Sequence, residues 1–257
     1  MYDKLKYGLI NALNWNSENK NLLLSKYFNN QSSIWSVFKE NNIYASNFQP
    51  KNLINTPLSN FLYEEKSIVP YISQEDLVNA LSDSLLMENK FNFIYYPNID
   101  VVAHVFGVNS EEWIKEIKIF EELVKKITEL SNKKSYTVIS ADHGLTNIPK
   151  ENRFHITYNE NVNIYGDQRS VYINGSKKEI IEIFSKVPGQ LIDRSELNHL
   201  LPLPENDFIE SLYPDFCFLV KDKNIIYPHH LKTELAGYHG GLSTEEIKIP
   251  IIEISNF

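Results

Sequence analysis

The sequence predicts an α/β fold in which helices cover both faces of a mostly parallel central sheet, a three-layer α/β/α arrangement. Residues 91–97 (FNFIYYP) and 135–142 (SYTVISAD) are predicted as strands, and residues 110–132 between them as a long helix. That strand–helix–strand order is typical of βαβ units in a parallel sheet. Acidic and imidazole side chains follow both strands, where the binding sites of such sheets form.

The individual elements follow from the spacing of apolar residues. Residues 33–42 are predicted as a short amphipathic helix and residues 43–48 (IYASNF) as a strand. In residues 74–90, leucines recur every four positions, which indicates a helix. The helix over residues 110–132 has one apolar stripe, with acidic residues early and lysines late, as the helix dipole favours. Residues 247–254 (IKIPIIEI) return to strand character, and we expect them to rejoin the main sheet.

The chain is predicted to form one domain over residues 1–257, with a core made of residues 1–150 and 236–257. A small α+β insertion is predicted over residues 151–235. In the insertion, short strands alternate with one helix, residues 177–187, and with proline-rich turns.

The charge balance restricts the classes of ligand. With 25 basic and 33 acidic side chains, the formal net charge is −8. The sequence has no long basic run, so a nucleic-acid-binding groove is not predicted. An acidic protein can still bind phosphate groups, but bound metal ions or local dipoles must then supply positive charge.

Cysteine content and hydropathy restrict the environment. The single cysteine, Cys217, excludes an internal disulfide and a thiolate metal cluster, and its apolar neighbours predict a buried free thiol. No apolar run approaches the ~20 residues needed to cross a bilayer. The N-terminal residues lack the basic start and apolar core of a secretion signal, so a cytoplasmic protein without membrane association is expected. The oligomeric state stays open.

Three short segments carry the residue types of a metal site. In the first, YYPNIDVVAHVFG (95–107), Asp100 and His104 are four residues apart. A helical turn would place both side chains on one face, where they could share a metal ion. The alternative is a helix-capping aspartate beside an incidental histidine.

The other two segments are ISADHGLT (139–146) and AGYHGGLSTEE (236–246). In the first of these, a buried strand runs directly into Asp142 and His143, which cannot both be buried without partners because unpaired burial is costly. Metal coordination would supply those partners. In the second, two glycines follow His239 and give the loop the freedom to bring an imidazole to a site. A plain glycine-rich turn is the alternative.

Taken together, Asp-x-x-x-His, Ala-Asp-His-Gly and Gly-Tyr-His-Gly-Gly, in that order, resemble the alkaline phosphatase superfamily. Within it, the chain is most similar to the type I phosphodiesterase/nucleotide pyrophosphatase family, from about residue 32 to the C-terminal strand. The resemblance implies an alkaline-phosphatase-like fold and metal-dependent hydrolysis of phosphodiester or nucleotide pyrophosphate bonds. It also implies a small phosphoester or nucleotide as the substrate.

The resemblance further implies two divalent metal ions, with zinc as the expected metal. Asp100, His104 and His239 would hold one ion. Asp142 and His143 would belong to the other. Imidazole and carboxylate ligands suit zinc, although ligand type alone also admits manganese or iron. Two such ions could clamp the attacking and leaving oxygens of a displacement at phosphorus.

Two parts of the family pattern have no match in this sequence. One is an aspartate of an Asp-Gly pair that completes the second metal site, and the other is the Thr or Ser nucleophile. Ser33, Thr56 and Ser59 are hydroxyl candidates, but none stands in a matching context. Asp3 is a carboxylate candidate without a preceding strand. For all four, a turn or surface position is the alternative.

We therefore expect a depleted second metal site and impaired activity. Truncation, a separate polypeptide that supplies the missing part, and loss of catalysis are the three explanations that the sequence leaves open. A non-catalytic metal-binding or partner-binding module of the same fold is the main alternative to an enzyme. Another enzyme of the superfamily, such as a phosphomutase or a phosphatase, is a further alternative.

Other polar residues have two interpretations each. Arg169 could face a phosphate or lie on a surface strand, and Asn147 could touch a substrate or make turn hydrogen bonds. The pair His229–His230 precedes the third segment and is interpreted as a substrate contact or a solvated loop.

Overall fold

The computed structural model describes residues 2–3, 8–9, 33–63, 67–85, 87–131, 135–201, 210, 213–228 and 235–256. The chain forms two compact units. The first comprises Met1–Ile10, Asp100–Ile114 and Ile139–Ile252, and the second comprises Asn11–Ile99, Lys115–Val138 and Glu253–Phe257. The pair His229–His230 lies outside the described residues.

The strands, in chain order, are β1 (Tyr2–Asp3), β2 (Gly8–Leu9), β3 (Tyr44–Pro50), β4 (Ile68–Tyr71), β5 (Lys90–Ile94), β6 (Ser135–Ser140), β7 (Thr146–Asn147), β8 (Arg153–Ile156), β9 (Asn163–Gly166), β10 (Ser170–Asn174), β11 (Gly189–Asp193), β12 (Phe216–Val220), β13 (Ile225–Pro228), β14 (Gly237–Tyr238) and β15 (Ile251–Asn256). The helices are α1 (Ile34–Glu40), α2 (Pro57–Leu62), α3 (Gln74–Leu85), α4 (Asn98–Phe106), α5 (Glu111–Leu130), α6 (Lys177–Phe184), α7 (Arg194–Leu200) and α8 (Thr244–Ile247). None of the helices in these ranges is long and apolar enough to cross a membrane.

The second unit is built on a parallel sheet. Strand β3 lies between β4 and β5 and pairs with both in parallel. Helix α2 connects β3 to β4, and α3 connects β4 to β5, so each connection is a helical crossover of the kind that parallel strands require. The core of this unit is formed by Phe48, Tyr71, Leu77, Leu81 and Leu123.

The hydroxyl candidates for a nucleophile cap helices in the second unit. The side chain of Ser33 accepts a hydrogen bond from the backbone N–H of Ser36 at the start of α1. Thr56 and Ser59 form a reciprocal capping box at the start of α2. Such caps satisfy the free N–H groups of a first helical turn. Ser33 and Thr56 are therefore helix N-caps, whereas Ser59 lies within α2 and is buried, so neither a turn nor a surface position describes it.

The first unit is built on an antiparallel sheet in the order β11–β12–β10–β9. Helix α6 begins after Ser176, and its apolar side buries Ile180 and Phe184. These two side chains belong to a core cluster with the inner faces of the sheet strands, which includes Val171, Ile173 and Phe218. Among the described residues, this unit also contains the antiparallel pairs β1–β2 and β7–β14 and the parallel pair β8–β13.

The structure confirms most of the predicted elements and adds others. Helices are present within residues 33–42, 74–90, 110–132 and 177–187, and the C-terminal strand β15 pairs with β6. The predicted strand over residues 91–97 ends earlier, at Ile94, and helix α4 follows at Asn98. The strand–helix–strand pattern suggested that β5 and β6 are neighbours in one parallel sheet. In the structure, β5 pairs in parallel with β3, and β6 pairs with β15. Local spacing indicates a parallel sheet, but strand order depends on contacts between distant residues.

Candidate functional site

Helix α4 carries the first two predicted ligands. Asp100 lies in its first turn and His104 in its last, and the His104 Nε2 atom is 3.5 Å from Asp100 Oδ1. The Nδ1 atom of His104 lies 2.9 Å from the backbone oxygen of Gly237. Because a carbonyl oxygen can only accept, this contact places a proton on Nδ1, while Nε2 faces the carboxylate.

One oxygen of Asp100 is an orphan. Its Oδ1 atom is buried and has no hydrogen-bond partner within the described part of the chain. This oxygen faces the His104 Nε2 atom at 3.5 Å. A buried acceptor without a donor is unfavourable, and a shared cation would satisfy both groups.

The segment after β6 carries the next two predicted ligands. The backbone N–H of His143 donates to Asp142 Oδ1 at 3.1 Å, and the His143 Nε2 atom is 3.6 Å from Asp142 Oδ2. The Asp142 side chain is 81% exposed, so it faces solvent. At Gly144, an added Cβ would lie 2.0 Å from the backbone oxygen of Glu245, so only glycine fits this close approach.

His239 follows the short strand β14, which is anchored by Tyr238. The Tyr238 ring is buried, its hydroxyl shares a hydrogen bond with Tyr227, and it accepts another from the backbone N–H of Leu235 at 2.9 Å. Pairing of β14 with β7 brings the third motif beside the second. The chain then turns at Gly240, whose φ of +97° favours glycine.

The three motif histidines meet in space. The His239 ring stacks on His143 with centroids 3.7 Å apart, and its centroid is 5.2 Å from that of His104. These residues are separated by up to 135 positions in the sequence, as the difference between 239 and 104 shows. We call His104, His143 and His239, with Asp100, the histidine cluster.

The surroundings of His239 determine the charge of its imidazole ring. Burial lowers the pKa of His239 below 6.5, and the neighbouring His143 and His104 lower it further. The carboxylates of Asp167 and Asp100 oppose this shift without reversing it. His239 is therefore neutral at neutral pH, which is the state in which an imidazole can bind a metal ion.

Sequence reasoning missed Asp167. This residue follows β9, and its Oδ2 atom lies 4.0 Å from His239 Nδ1. An added Cβ at Gly240 would lie 2.8 Å from the Asp167 Cγ atom, so the glycine loop passes directly over this carboxylate. The segment YGDQRS has the composition of an ordinary hairpin turn, and no spacing in the sequence connects it with residue 239.

Other candidates have structural partners. The side chain of Arg169 is about 1% exposed and paired with Glu246, so it is neither a surface residue nor available to a phosphate. The Asn147 side chain accepts from Val108 N at 2.7 Å and donates to Val108 O at 2.8 Å, so it bonds the backbone of a distant segment and not its own turn. Cys217 is buried as a free thiol, and burial raises its pKa to about 12.

The cluster is not arranged as a finished metal site. Among the residues that the structure describes, no group of three or more His, Cys, Asp or Glu side chains has its donor atoms set to hold an ion. The rings of His143 and His239, which belong to different ions in the assignment above, stack on each other with centroids 3.7 Å apart. The site therefore combines correct residue types with an arrangement that still requires side-chain movement.

Comparison with known proteins relates the chain to one family. A family model described as type I phosphodiesterase / nucleotide pyrophosphatase matches residues 10–197, more than half of the chain. The match includes the motifs at residues 100–104 and 142–143, whereas His239 lies beyond it. Curated protein sequences give no match.

Solved structures resemble the chain in fold. Murine ectonucleotide pyrophosphatase/phosphodiesterase 5 has a TM-score of 0.67 at 15% identity, covering 86% of this chain and 62% of the murine chain. The human protein of the same name has a TM-score of 0.63 at 14% identity, covering 88% and 63%. Phosphonoacetate hydrolase from Sinorhizobium meliloti has a TM-score of 0.61 at 13% identity, covering 86% and 68%.

The chain thus spans 62–63% of the length of the two pyrophosphatase chains, and at these identities the likeness concerns the fold. The family model and the fold agree with each other, and the family match includes the first two motifs. The chain belongs to the type I phosphodiesterase/nucleotide pyrophosphatase family, within the alkaline phosphatase superfamily.

Proposed function

We propose that the chain is a metal-dependent hydrolase of phosphodiester or nucleotide pyrophosphate bonds, with the histidine cluster as its site. The observation that carries the proposal is the meeting of three distant histidines beside Asp100, whose buried Oδ1 atom lacks a hydrogen-bond partner in the described part of the chain. Family membership supports the reaction class.

The residues present fit a divalent metal ion. Asp100, His104 and His239 would hold one ion, and Asp142 and His143 would belong to a second. Imidazole and carboxylate donors suit zinc. When bound, such ions supply positive charge that neutralises phosphate oxygens and favours displacement at phosphorus. The exposed Asp142 carboxylate and the stacked His143 ring make the second position the weaker of the two.

The other residues of the site orient its ligands. The backbone oxygen of Gly237 holds the proton of His104 on Nδ1, so the opposite ring nitrogen stays available. Burial of His239 keeps that ring neutral above pH 6.5. Because the whole chain carries a formal charge of −8, an anionic substrate would depend on local positive charge at this site.

The substrate is proposed to be a nucleotide or another small phosphoester. One murine ectonucleotide pyrophosphatase/phosphodiesterase 5 structure, of an inactive form, is a complex with AMP. The Sinorhizobium meliloti hydrolase was solved with phosphonoacetate. Both ligands are small and anionic, which fits a site that gathers metal ligands without a basic groove.

Activity is proposed to be impaired in the 257-residue chain. The sequence offers no Thr or Ser in the context of the family's nucleophile. The hydroxyl candidates Ser33, Thr56 and Ser59 take part in helix capping. Without a nucleophile, a bound ion and a bound substrate would not complete the covalent step.

Zinc titration and turnover of bis(p-nitrophenyl) phosphate test the proposal. We expect the metal-free chain to bind zinc, and His239→Ala to weaken binding about 10-fold or more. The exposed His199 of α7 provides a matched control, and His199→Ala should bind zinc like the parent. An absence of zinc binding would contradict the metal site. Rapid turnover by the 257-residue chain would contradict the proposed impairment.

A non-catalytic metal-binding module is the second candidate. It is favoured by the exposed Asp142 and by the absence of a preset three-ligand group within the described ranges. One tightly bound ion per chain, with no turnover of any nucleotide diester even at high enzyme concentration, would support it over the hydrolase.

A further inference from the structure

The loop after His239 packs against a buried ion pair between Arg169 and Glu246. The Arg169 guanidinium donates from Nε to Glu246 Oε1 at 2.5 Å and from Nη2 to Glu246 Oε2 at 2.7 Å. Both side chains are about 1% exposed. Removal of one partner would leave an uncompensated buried charge, so the two groups hold each other in one geometry.

The remaining polar atoms of this pair bind backbone. Arg169 Nη1 donates to the oxygens of Asp222 and Asn224 at 2.9 and 2.6 Å. Glu246 Oε1 accepts from Gly241 N at 2.8 Å, and Oε2 accepts from Ser243 N at 3.3 Å. An ion pair whose polar atoms are satisfied in this way is rigid. It ties the β9–β10 hairpin to the loop between β14 and α8.

We call the Arg169–Glu246 ion pair the anchor. Residues next to both stacked histidines in the chain contact it. Gly241, two residues after His239, lies directly on the ion pair, because an added Cβ there would be 2.6 Å from Arg169 Nη2. The backbone oxygen of Glu246 accepts from Gly144 N at 2.8 Å, next to His143. The anchor therefore holds the chain on both sides of the stacked rings.

The hairpin end of the anchor also presents a carboxylate to His239. Asp167 Oδ1 accepts from Arg169 N at 3.3 Å, and Asp167 Oδ2 is 4.0 Å from His239 Nδ1. A carboxylate on this side favours the tautomer with its proton on Nδ1, which leaves the Nε2 lone pair for a cation.

We propose that the Arg169–Glu246 ion pair is the positioning element of the histidine cluster and that Asp167 orients the His239 imidazole. None of the three is a ligand in this proposal, since each acts through a histidine. The consequence for metal binding rests on the proposed function, whereas the consequence for the rings holds in the metal-free chain.

The chain contains a matched control for Glu246. Glu246 of α8 and Glu196 of α7 both occupy the N3 position of a capping box, and each accepts a hydrogen bond from the backbone N–H of its N-cap residue. Only Glu246 also pairs with a buried arginine. Glu246→Gln and Glu196→Gln thus remove the same capping carboxylate with and without the anchor.

The experiment compares Asp167→Asn, Glu246→Gln and Glu196→Gln with the parent chain. Side-chain ¹⁵N shifts of the histidines are measured in the metal-free proteins at pH 7.5, together with zinc affinity and melting temperature. We expect Asp167→Asn to shift the His239 ring nitrogens toward the other tautomer and to weaken zinc binding about 10-fold or more. Glu246→Gln should displace the His143 and His239 signals, and Glu196→Gln should leave both unchanged.

Unchanged ring-nitrogen signals in Asp167→Asn would overturn the role of that carboxylate. Equal histidine spectra for the two glutamine variants would overturn the role of the ion pair, even if both variants melt earlier. If Glu246→Gln does not fold, Asp167→Asn still decides the orienting role, because its side chain is 40% exposed and removable. If the parent binds no zinc, the proposed function fails while the ring-nitrogen shifts still test positioning.

Discussion

Asp100 has a carboxylate oxygen, Oδ1, that is buried without a hydrogen-bond partner in the described part of the chain. Buried acceptors are nearly always paired in folded proteins, so an unpaired one calls for an explanation. The Nε2 atom of His104 lies 3.5 Å away, and the Nδ1 atom of the same ring donates to the backbone oxygen of Gly237. A cation between Asp100 Oδ1 and His104 Nε2 would supply the missing partner.

Replacing this carboxylate should separate metal binding from stability. We expect Asp100→Asn to weaken zinc binding about 10-fold or more, because a charged ligand is lost. The metal-free protein should keep its stability, since the Asp100 side chain is 40% exposed and its Oδ1 atom has no hydrogen bond to lose within the described residues. Zinc titration and urea unfolding without metal measure the two effects.

Asp76 provides the control at the residue scale. It also lies in the first turn of a helix, α3, where its Oδ2 atom accepts from Ser73 N at 3.2 Å. Asp76→Asn should leave zinc binding unchanged. A metal-free Asp100→Asn chain that is markedly less stable than the parent would contradict the interpretation that Asp100 Oδ1 makes no stabilising hydrogen bond.

His239 should titrate below the ordinary range of histidine. Burial and the neighbouring His143 and His104 place its pKa below 6.5, so the folded chain binds fewer protons here than the unfolded chain. The free energy of unfolding should therefore fall as the pH drops from 6.5 through the lower folded pKa. An NMR titration of the metal-free chain gives the midpoint. Asp167→Asn should lower that midpoint further, and a midpoint above 6.5 would refute the prediction.

At the scale of elements, helix α6 shows how helical periodicity determines which side chains are buried. Ile180 and Ile181 are consecutive, but a helix turns neighbours about 100° apart, so one enters the core and the other faces outward. Ile180 is fully buried and Ile181 is 55% exposed. The same spacing made this helix predictable from the sequence.

Truncation of the two isoleucines should give unequal losses. Ile180→Ala should cost about 2–5 kcal/mol of unfolding free energy, because it empties part of a packed core. Ile181→Ala should cost less than about 1 kcal/mol, because its side chain is already in solvent. Urea unfolding of both variants measures the two losses of unfolding free energy. Equal losses would mean that Ile180 and Ile181 are buried to the same extent.

Short elements matter most for the site. Strands β7 and β14 contain two residues each, yet their pairing brings the second and third motifs together. Two-residue strands have no periodicity, and neither strand was predicted. Helix α4 was not predicted either, although the four-residue spacing of Asp100 and His104 fits a helical turn.

At the scale of the whole molecule, the buried ion pair should contribute to stability against acid. Burial alone would raise the pKa of Glu246, but hydrogen bonds from Arg169, Ser243 and Gly241 outweigh it and hold this pKa below 4.5. A carboxylate with a depressed folded pKa stabilises the protein above the unfolded value. That contribution is lost as the pH falls from 4.5 through the folded pKa.

Urea unfolding of the parent and of Glu246→Gln between pH 7 and pH 3 tests this contribution. The parent should be more stable at neutral pH, and its advantage should shrink below pH 4.5 as the carboxyl group takes up a proton. A difference that stays constant over the whole range would show that the carboxylate charge contributes nothing.

Sequence spacing alone determined the helices within residues 33–42, 74–90, 110–132 and 177–187, the α/β class, the family resemblance and the residue types of the site. Helical periodicity is a local property, and motifs such as Ala-Asp-His-Gly are contiguous, so both can be recognised without coordinates. The same holds for the free thiol of Cys217, whose apolar neighbours indicated burial.

Tertiary structure decided which side chains meet. The stacking of His239 on His143, the carboxylate of Asp167 and the pairing of Arg169 with Glu246 all join segments tens of residues apart. Arg169 in particular has no local pattern that distinguishes a buried anchor from a surface strand residue. Contacts of this kind arise from packing and charge pairing between distant segments, and such pairings leave no spacing in the sequence from which they could be predicted.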